Sequence, residues 1–304
     1  MGRRYETVSL LSDLGGDESS GVLRAVLRDL APHAVVVDLT HDIPPFDVRA
    51  GALALARCIA YVPSGVVVAA VDPDAGGGRP PIAIEVAGGA GIVVGPDNGL
   101  LAPAIALAGG AERAVILDRS EHHLDGPGAT NPARDVYVPV AAALCNGLDL
   151  AEVGTPTDPA LLFPSVIPLP RLEGGTLVTE VLWVDRFGNA ELNIGPDELV
   201  SAWGAEMTAA GQARVRVLIG DDIVRSATVA ASFGEVPSGA LALVLDSNGM
   251  YALALSRSSA AEDLRLSPTD EVRLEPLGLD TPWSAVQTPI GTPVSTPVGF
   301  PRSR

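Results

Sequence analysis

Cysteine is nearly absent from this chain of 304 residues: there are two, Cys58 and Cys145, and no Cys-x-x-Cys pair. Neither a disulfide framework nor a zinc–thiolate site fits that count, and each cysteine, set in an apolar helical pattern, reads as a buried free thiol. Positive charge is also scarce, with 20 Lys and Arg against 37 Asp and Glu and a formal charge of −17. That deficit leaves no basic face for nucleic acid or an anionic membrane. Uninterrupted apolar runs such as Val66–Val71 fall far short of the roughly 18 residues that span a bilayer. Met1–Glu6 has Arg3 and Arg4 but no apolar segment and no small-residue cleavage site. No export signal is expected, which makes the cytoplasm the default location. Phosphate-binding loops are missing too. Gly76-Gly77-Gly78 is not followed by the lysine of a P-loop, and no Gly-x-Gly-x-x-Gly opens a helix after the first strand.

What is present is a globular composition, 47% apolar and 19% charged, in a length that at about 150 residues per domain suggests two domains. The first half alternates strand and helix patterns. Strands are expected at Thr7–Leu11, Ala34–Leu39 and Val66–Val71, with helices at Ser20–Leu30 and Phe46–Val62 between them. Ile82–Val86 and Gly91–Val94 flank a Gly-Gly turn and read as a hairpin, and a helix is expected from about Asp135 to Asn146. The prediction is an α/β domain over residues 1–164 with a mainly parallel, partly mixed sheet. Residues 119–134 form a long polar loop, of the kind that often carries function.

Proline and glycine concentrate between Pro164 and Gly175, so residues 165–175 read as a linker. From 176 to 278 the pattern is of strands without regular helices: Thr176–Val184, Ala190–Ile194, Val215–Ile219, Ile223–Val229, Leu241–Leu245, Tyr251–Leu255 and Val272–Leu274. A smaller all-β, barrel-like domain is expected there. Residues 279–304 repeat Thr-Pro and Gly without periodicity and are expected to be a disordered arm.

Ligands of an open α/β sheet bind beyond the carboxyl ends of its strands. Three expected strands end in polar residues at that edge: Ser12 and Asp13, then Thr40 and His41 after Asp38, then Asp72. An acidic rim of this kind suits a cation or a sugar diol, because one carboxylate accepts two hydroxyl hydrogen bonds. No metal-ligand spacing accompanies it, and no cofactor is expected.

Several segments, in order, carry a resemblance. They are Ser12-Asp13-Leu14-Gly15, Val37–Val48, Val71-Asp72-Pro73 with Arg79 seven residues after Asp72, and Pro96–Leu101, followed by Val184–Asn189 and Asp246–Gly249. Together they resemble the S-adenosyl-L-methionine (SAM) hydrolase family, also called SAM hydroxide adenosyltransferases, which is related to fluorinases and chlorinases. The resemblance spans residues 6–275.

That resemblance implies attack of water or hydroxide on ribose C5′ of SAM, releasing methionine and leaving adenosine, with SAM as substrate and no cofactor. It also implies a homotrimer whose sites lie between the N-terminal domain of one subunit and the barrel of the next. Carried over by position, Asp72 becomes the base or water-orienting group, and Arg79 the cation that fixes it or stabilises developing hydroxide. Asp13 would hold the ribose hydroxyls, and Phe46 would line the ribose and adenine pocket. Asp185 and Ser247 would meet the methionine end, and Asn189 and Phe233 the adenine. Asp17 or Glu18, with Ser20, falls where the family has a methionine-binding Asp and its neighbour. The family's third catalytic residue, a histidine in Thr-Phe-His-Gly-Arg-Asp, corresponds here to Pro132 in Thr130–Asp135. His122 and His123 lie earlier in the same loop; a solvated loop histidine is the ordinary reading of both, and His123 is kept as a candidate. The halide-holding run of the halogenating relatives is replaced by Asp72 to Gly76, whose two carboxylates would repel an anion. The alternatives to SAM hydrolysis are a SAM- or adenosine-binding protein with weak or lost catalysis, and 5′ displacement by another nucleophile.

Overall fold

The computed structural model describes residues 5–16, 18–75, 77–164, 167–208 and 213–277, and the chain divides into two units between Ile167 and Pro168. Asp17, Ser165 and Val166 of the expected linker, and the expected arm 279–304 lie outside the described residues.

Short β-branched runs build the N-terminal sheet. Its strands are β1 (Thr7–Ser12), β2 (Val35–Thr40), β3 (Val66–Ala70), β4 (Pro81–Val86), β5 (Gly91–Pro96), β6 (Arg113–Ile116) and β7 (Thr155–Thr157), ordered β2-β1-β3-β5-β4-β6-β7. The pairings β1–β2, β1–β3 and β3–β5 are parallel, whereas β4–β5, β4–β6 and β6–β7 are antiparallel. The sheet is therefore mixed, with the expected hairpin reversing its direction. β3 sits inside the parallel half, and all five of its residues are buried, which is why its run is continuously apolar rather than alternating.

The helices are α1 (Glu18–Leu30), α2 (Val48–Ile59), α3 (Ala102–Leu107) and α4 (Val138–Cys145). Leu23 and Leu27 of α1 pack with Val138 and Leu144 of α4 against Leu10, Val68 and Val94 in one cluster. Truncating a leucine such as Leu23 to alanine would cost about 2–5 kcal/mol. α2 and α3 pack on each other. Gly51 of α2 lets the helix approach the segment after β3 and the turn before α3, since a Cβ there would lie 2.8 Å from Leu100 Cδ1 and 3.0 Å from Val71 Cγ2. The expected helix Phe46–Val62 is shorter than its pattern. Asp47 caps it by accepting from Ala50 N at 2.8 Å, and Phe46 lies outside it with φ +68°.

The C-terminal strands are β8 (Arg171–Glu173), β9 (Thr176–Val184), β10 (Ala190–Leu192), β11 (Arg214–Ile219), β12 (Ile223–Ala230), β13 (Leu241–Leu245), β14 (Tyr251–Leu255) and β15 (Glu271–Pro276). Their order β10-β14-β13-β12-β11-β15-β9 closes through a β9–β10 pairing into a barrel, with β8 added on β9. Alternate residues such as Val215, Val217, Leu243, Leu253, Val272 and Leu274 fill its interior. Two short helices interrupt the strands, a correction to the strand-only expectation. In α5 (Pro196–Trp203), Glu198 accepts from Gly195 N at 2.8 Å and Leu199 is fully buried. Pro at the first position and a carboxylate at the third are start signals that a strand count passes over. In α6 (Ala260–Leu264), Ser259 Oγ accepts from Glu262 N at 3.0 Å. The linker is also not wholly irregular, since its residues 171–173 form β8. No helix among the described residues is long and apolar enough to cross a membrane.

Candidate active site

β1 and β3 are parallel neighbours with Ser12 opposite Ala70, so the residues that follow them, Asp13 and Asp72, emerge at the same carboxyl edge. Asp13 Oδ2 accepts a hydrogen bond from Phe46 N at 2.9 Å. Phe46 holds a left-handed backbone and is 68% exposed, a strained conformation for a bulky residue and one that clusters at functional sites. Asp13, Phe46 and Asp72 line one cavity of 590 Å³, together with Ser19, Arg134 and Tyr137.

A second cavity of 610 Å³ is lined by Asp72 with Arg79, His123, Asp125, Asp135 and Tyr137. The residues common to both cavities are Asp72, Gly128, Pro132 and Tyr137. Of these only Asp72 and Tyr137 carry polar side-chain atoms. Burial pushes the Asp72 carboxyl above its usual range, and the nearby charges of Asp74 and Asp13 push the same way against a backbone hydrogen bond from Asp74. That bond, Asp74 N to Asp72 Oδ1, is 3.2 Å long. A buried carboxylate with a raised pKa is a better base at a given pH than a solvated one.

Tyr137 was not singled out in the sequence. It is 1% exposed, and burial, with the Asp72 charge second, raises its phenol pKa. It ends a π-helical turn, Ala133–Tyr137, that runs into α4; such turns are frequent at functional sites. In the same turn Arg134 clasps Asp135 with two hydrogen bonds, Nε to Oδ1 at 2.6 Å and Nη2 to Oδ2 at 2.8 Å. Gly126 packs against that pair so closely that a Cβ would lie 2.4 Å from Asp135 Oδ2.

Arg79 rests on an aromatic ring, its guanidinium carbon 4.0 Å from the Phe163 centroid. His123 has its Nε2 buried without a hydrogen-bond partner. Burial is the main cause of its lowered pKa, and the charge of His122 adds to it against Glu121 and Asp118. Burial thus disfavours the charged imidazole, which lines the same cavity as Asp72 and Arg79, while His122 does not line either cavity.

Behind the rim, Ser12 Oγ lies 2.7 Å from His41 Nδ1 and His41 Nε2 lies 3.0 Å from Asp38 Oδ1. Arg24 completes the chain by donating to Asp38 Oδ2 at 2.5 Å. Ser12 is 1% exposed and also accepts from Leu14 N at 3.3 Å, so this network braces the turn that carries Asp13. With its Arg24 and His41 partners the Asp38 carboxyl is lowered overall, even though burial, the largest single influence, acts to raise it.

Of the expected methionine-end group, Glu18 is exposed at the start of α1 and Ser20 is 3% exposed on its inner face. Ser19, between them, is the one that lines a cavity.

In the barrel, Asn189 and Phe233 line a cavity of 900 Å³ with Phe187 and Arg257. Asp185 is spent on its own turn, accepting at Oδ1 from Phe187 N (2.8 Å) and Asn189 N (2.9 Å) and at Oδ2 from Asn189 Nδ2 (2.8 Å). It therefore fixes Asn189, which lines the cavity. Ser247 is exposed in the turn between β13 and β14 and lines none of these cavities. Among the described residues no group of three or more His, Cys, Asp or Glu is arranged to hold a metal ion.

Comparison with known proteins adds to this geometry. The SAM hydroxide adenosyltransferase N-terminal domain matches residues 8–154, and the corresponding C-terminal domain matches residues 179–273. A curated (R)-S-adenosyl-L-methionine hydrolase of Salinispora tropica is 37% identical over 268 residues, covering 88% of this chain and 97% of that protein. The hydrolase of the same description from Thermus thermophilus is 38% identical over 276 residues, with 88% and 98% covered. More distantly, a fluorinase of Nocardia brasiliensis is 26% identical over 300 residues, with 90% and 97% covered. Among solved structures, an uncharacterized conserved protein from Thermotoga maritima aligns with a TM-score of 0.79 at 30% identity, covering 88% of this chain and 99% of its own.

Proposed function

The chain belongs to the SAM hydroxide adenosyltransferase family, and on that premise we propose that it hydrolyses S-adenosyl-L-methionine to adenosine and L-methionine. The observation that carries the reading is the place of Asp72. It is a half-buried carboxylate with a raised pKa at the wall between two cavities, with Asp13 and Phe46 on one side and Arg79 and His123 on the other.

Asp13 binds the ribose hydroxyls. Its hydrogen bond from Phe46 N fixes one oxygen and leaves acceptor capacity on the other. The sulfonium of the substrate is drawn by the acidic rim. Water is aligned behind C5′, opposite sulfur, by Asp72. As the O–C5′ bond forms, the C5′–S bond breaks and sulfur keeps the electron pair, so methionine leaves as a neutral thioether and needs no acid. The proton lost by the water passes to Asp72, and Arg79 stabilises developing hydroxide. General-base assistance of this kind is worth roughly 10²–10⁴-fold. His123, with its pKa lowered and Nε2 unbonded, takes the place of the family histidine, since Pro132 has no proton to exchange.

The adenine is held by the aromatic cavity of a barrel, with Asn189 presented by Asp185 and with Phe187 and Phe233, which are 73% and 52% exposed, as its faces. The resemblance supports a homotrimer in which that barrel belongs to the next subunit. Incubating the purified chain with SAM and separating the products by chromatography tests the reading. Adenosine and methionine in equal amounts are expected; adenosine bound without turnover would favour a binding protein instead.

A further inference from the structure

The turn Pro96-Asp97-Asn98-Gly99 at the end of β5 has no part in the chemistry above. It nevertheless makes three contacts, and each ends beside one of the two groups that act on the water. Asn98 Nδ2 donates to the carbonyl of Val71, the residue before Asp72, at 3.0 Å. Asp97 N donates to the carbonyl of Pro80, the residue after Arg79, at 3.0 Å. Asp97 Oδ1 accepts from Phe163 N at 2.8 Å, and the Phe163 ring is the one that lies 4.0 Å from the Arg79 guanidinium carbon. The turn is itself rigid: Asn98 Oδ1 accepts from Leu100 N at 3.1 Å, and Gly99 reverses the chain at φ +93°.

We propose that Asp97, Asn98 and Phe163 are positioning residues that together fix Arg79 relative to Asp72. This rests on the reading of Asp72 and Arg79 as the groups that act on the water. The sheet explains why one turn can reach both, since β5 lies beside β3 in parallel register and its end stands next to the end that carries Asp72. A ring is also the right support for this arginine. Among the described residues its guanidinium makes no salt bridge. A carboxylate partner would neutralise the charge, whereas an aromatic face holds the cation and leaves its five N–H donors to the cavity.

The test uses the full chain. Phe163→Leu removes the ring and Asp97→Ala removes the acceptor; each lowers kcat by roughly tenfold, the scale of a cation–aromatic contact once bound substrate excludes water from the cavity, with KM within about twofold. Phe163→Trp keeps an aromatic face and Asp97→Asn keeps an acceptor oxygen, and both stay within about threefold of the wild-type kcat. In arginine-labelled wild-type protein the Arg79 side-chain resonances show an upfield ring-current shift that Phe163→Leu abolishes. A wild-type kcat in Phe163→Leu and Asp97→Ala, a change confined to KM, or a tryptophan variant as slow as the leucine one overturns the proposal. So does a missing ring-current shift in the wild type. If the wild type does not turn SAM over at all, the functional reading fails, while the resonance shift still decides whether the bracket holds Arg79.

Discussion

Asp13 and Asp72 leave adjacent parallel strands and line the same cavity, and the charge on Asp13 adds to the burial that raises the Asp72 carboxyl. Two carboxylates at one rim favour a cationic substrate twice over: they attract it, and its arrival relieves their mutual repulsion.

A pH dependence follows from that pair. Asp72 acts as a base only when ionised, so kcat/KM rises with pH along a limb displaced above the ordinary aspartate value of about 3.9. Asp74→Asn removes one of the like charges and keeps the Asp74 backbone N–H that bonds Asp72. The limb of that variant moves to lower pH in a rate–pH profile; an unmoved or raised limb contradicts the assignment. The stability effect has the opposite sense. Because the folded-state pKa is raised, Asp72 favours the fold most below the unfolded pKa, and that contribution is lost as pH rises through the folded one.

Asp72→Asn keeps the shape and most of the hydrogen bonding of the side chain but cannot take a proton. Turnover falls by roughly 10²–10⁴-fold, while calorimetry with adenosine still shows binding. Unchanged turnover removes Asp72 from the mechanism.

Phe46 contributes strain as well as surface. Its φ of +68° costs about 1–2 kcal/mol in a residue with a side chain, and with 68% of it exposed little burial offsets that cost. Phe46→Gly therefore unfolds at an equal or higher temperature than the wild type yet binds SAM more weakly, which thermal unfolding and KM measure separately. A drop in melting temperature contradicts the strain reading.

The sequence told most where chemistry and periodicity coincide. The runs of β1 to β3 are short, apolar and β-branched, and they end in Asp13, His41 and Asp72, so both the parallel half of the sheet and the rim were legible. What escaped depends on distance along the chain. Phe163 reaches Arg79 from 84 residues away, and nothing in the local pattern of either residue announces it. Tyr137 gives no signal of its own in the pattern, because a buried phenol and a core phenylalanine have the same periodicity. Ser19 rather than Ser20 lines the cavity: one step along a helix turns a side chain about 100°, and position within a motif does not say which of two adjacent serines faces the rim. α5 was lost among strands because eight residues with a single fully buried leucine give little helical signal.

The loop histidine supplies the last test. His123 lines the cavity with Asp72 and Arg79, and burial and the neighbouring charge of His122 lower its pKa. Its imidazole resonances in a pH titration should shift with a midpoint below about 6.5, the ordinary value, and acidification through that range should cost stability because the unfolded chain binds the proton more readily. If the neutral ring orients the attacking water, His123→Ala slows turnover by at least about tenfold, and His123→Gln, which still offers a hydrogen-bonding group, recovers part of the loss. His122→Ala, one residue away and outside both cavities, leaves kcat within about twofold. Equal rates for wild type and His123→Ala would return His123 to the status of a packed loop residue and leave Asp72 and Arg79 to activate the water on their own.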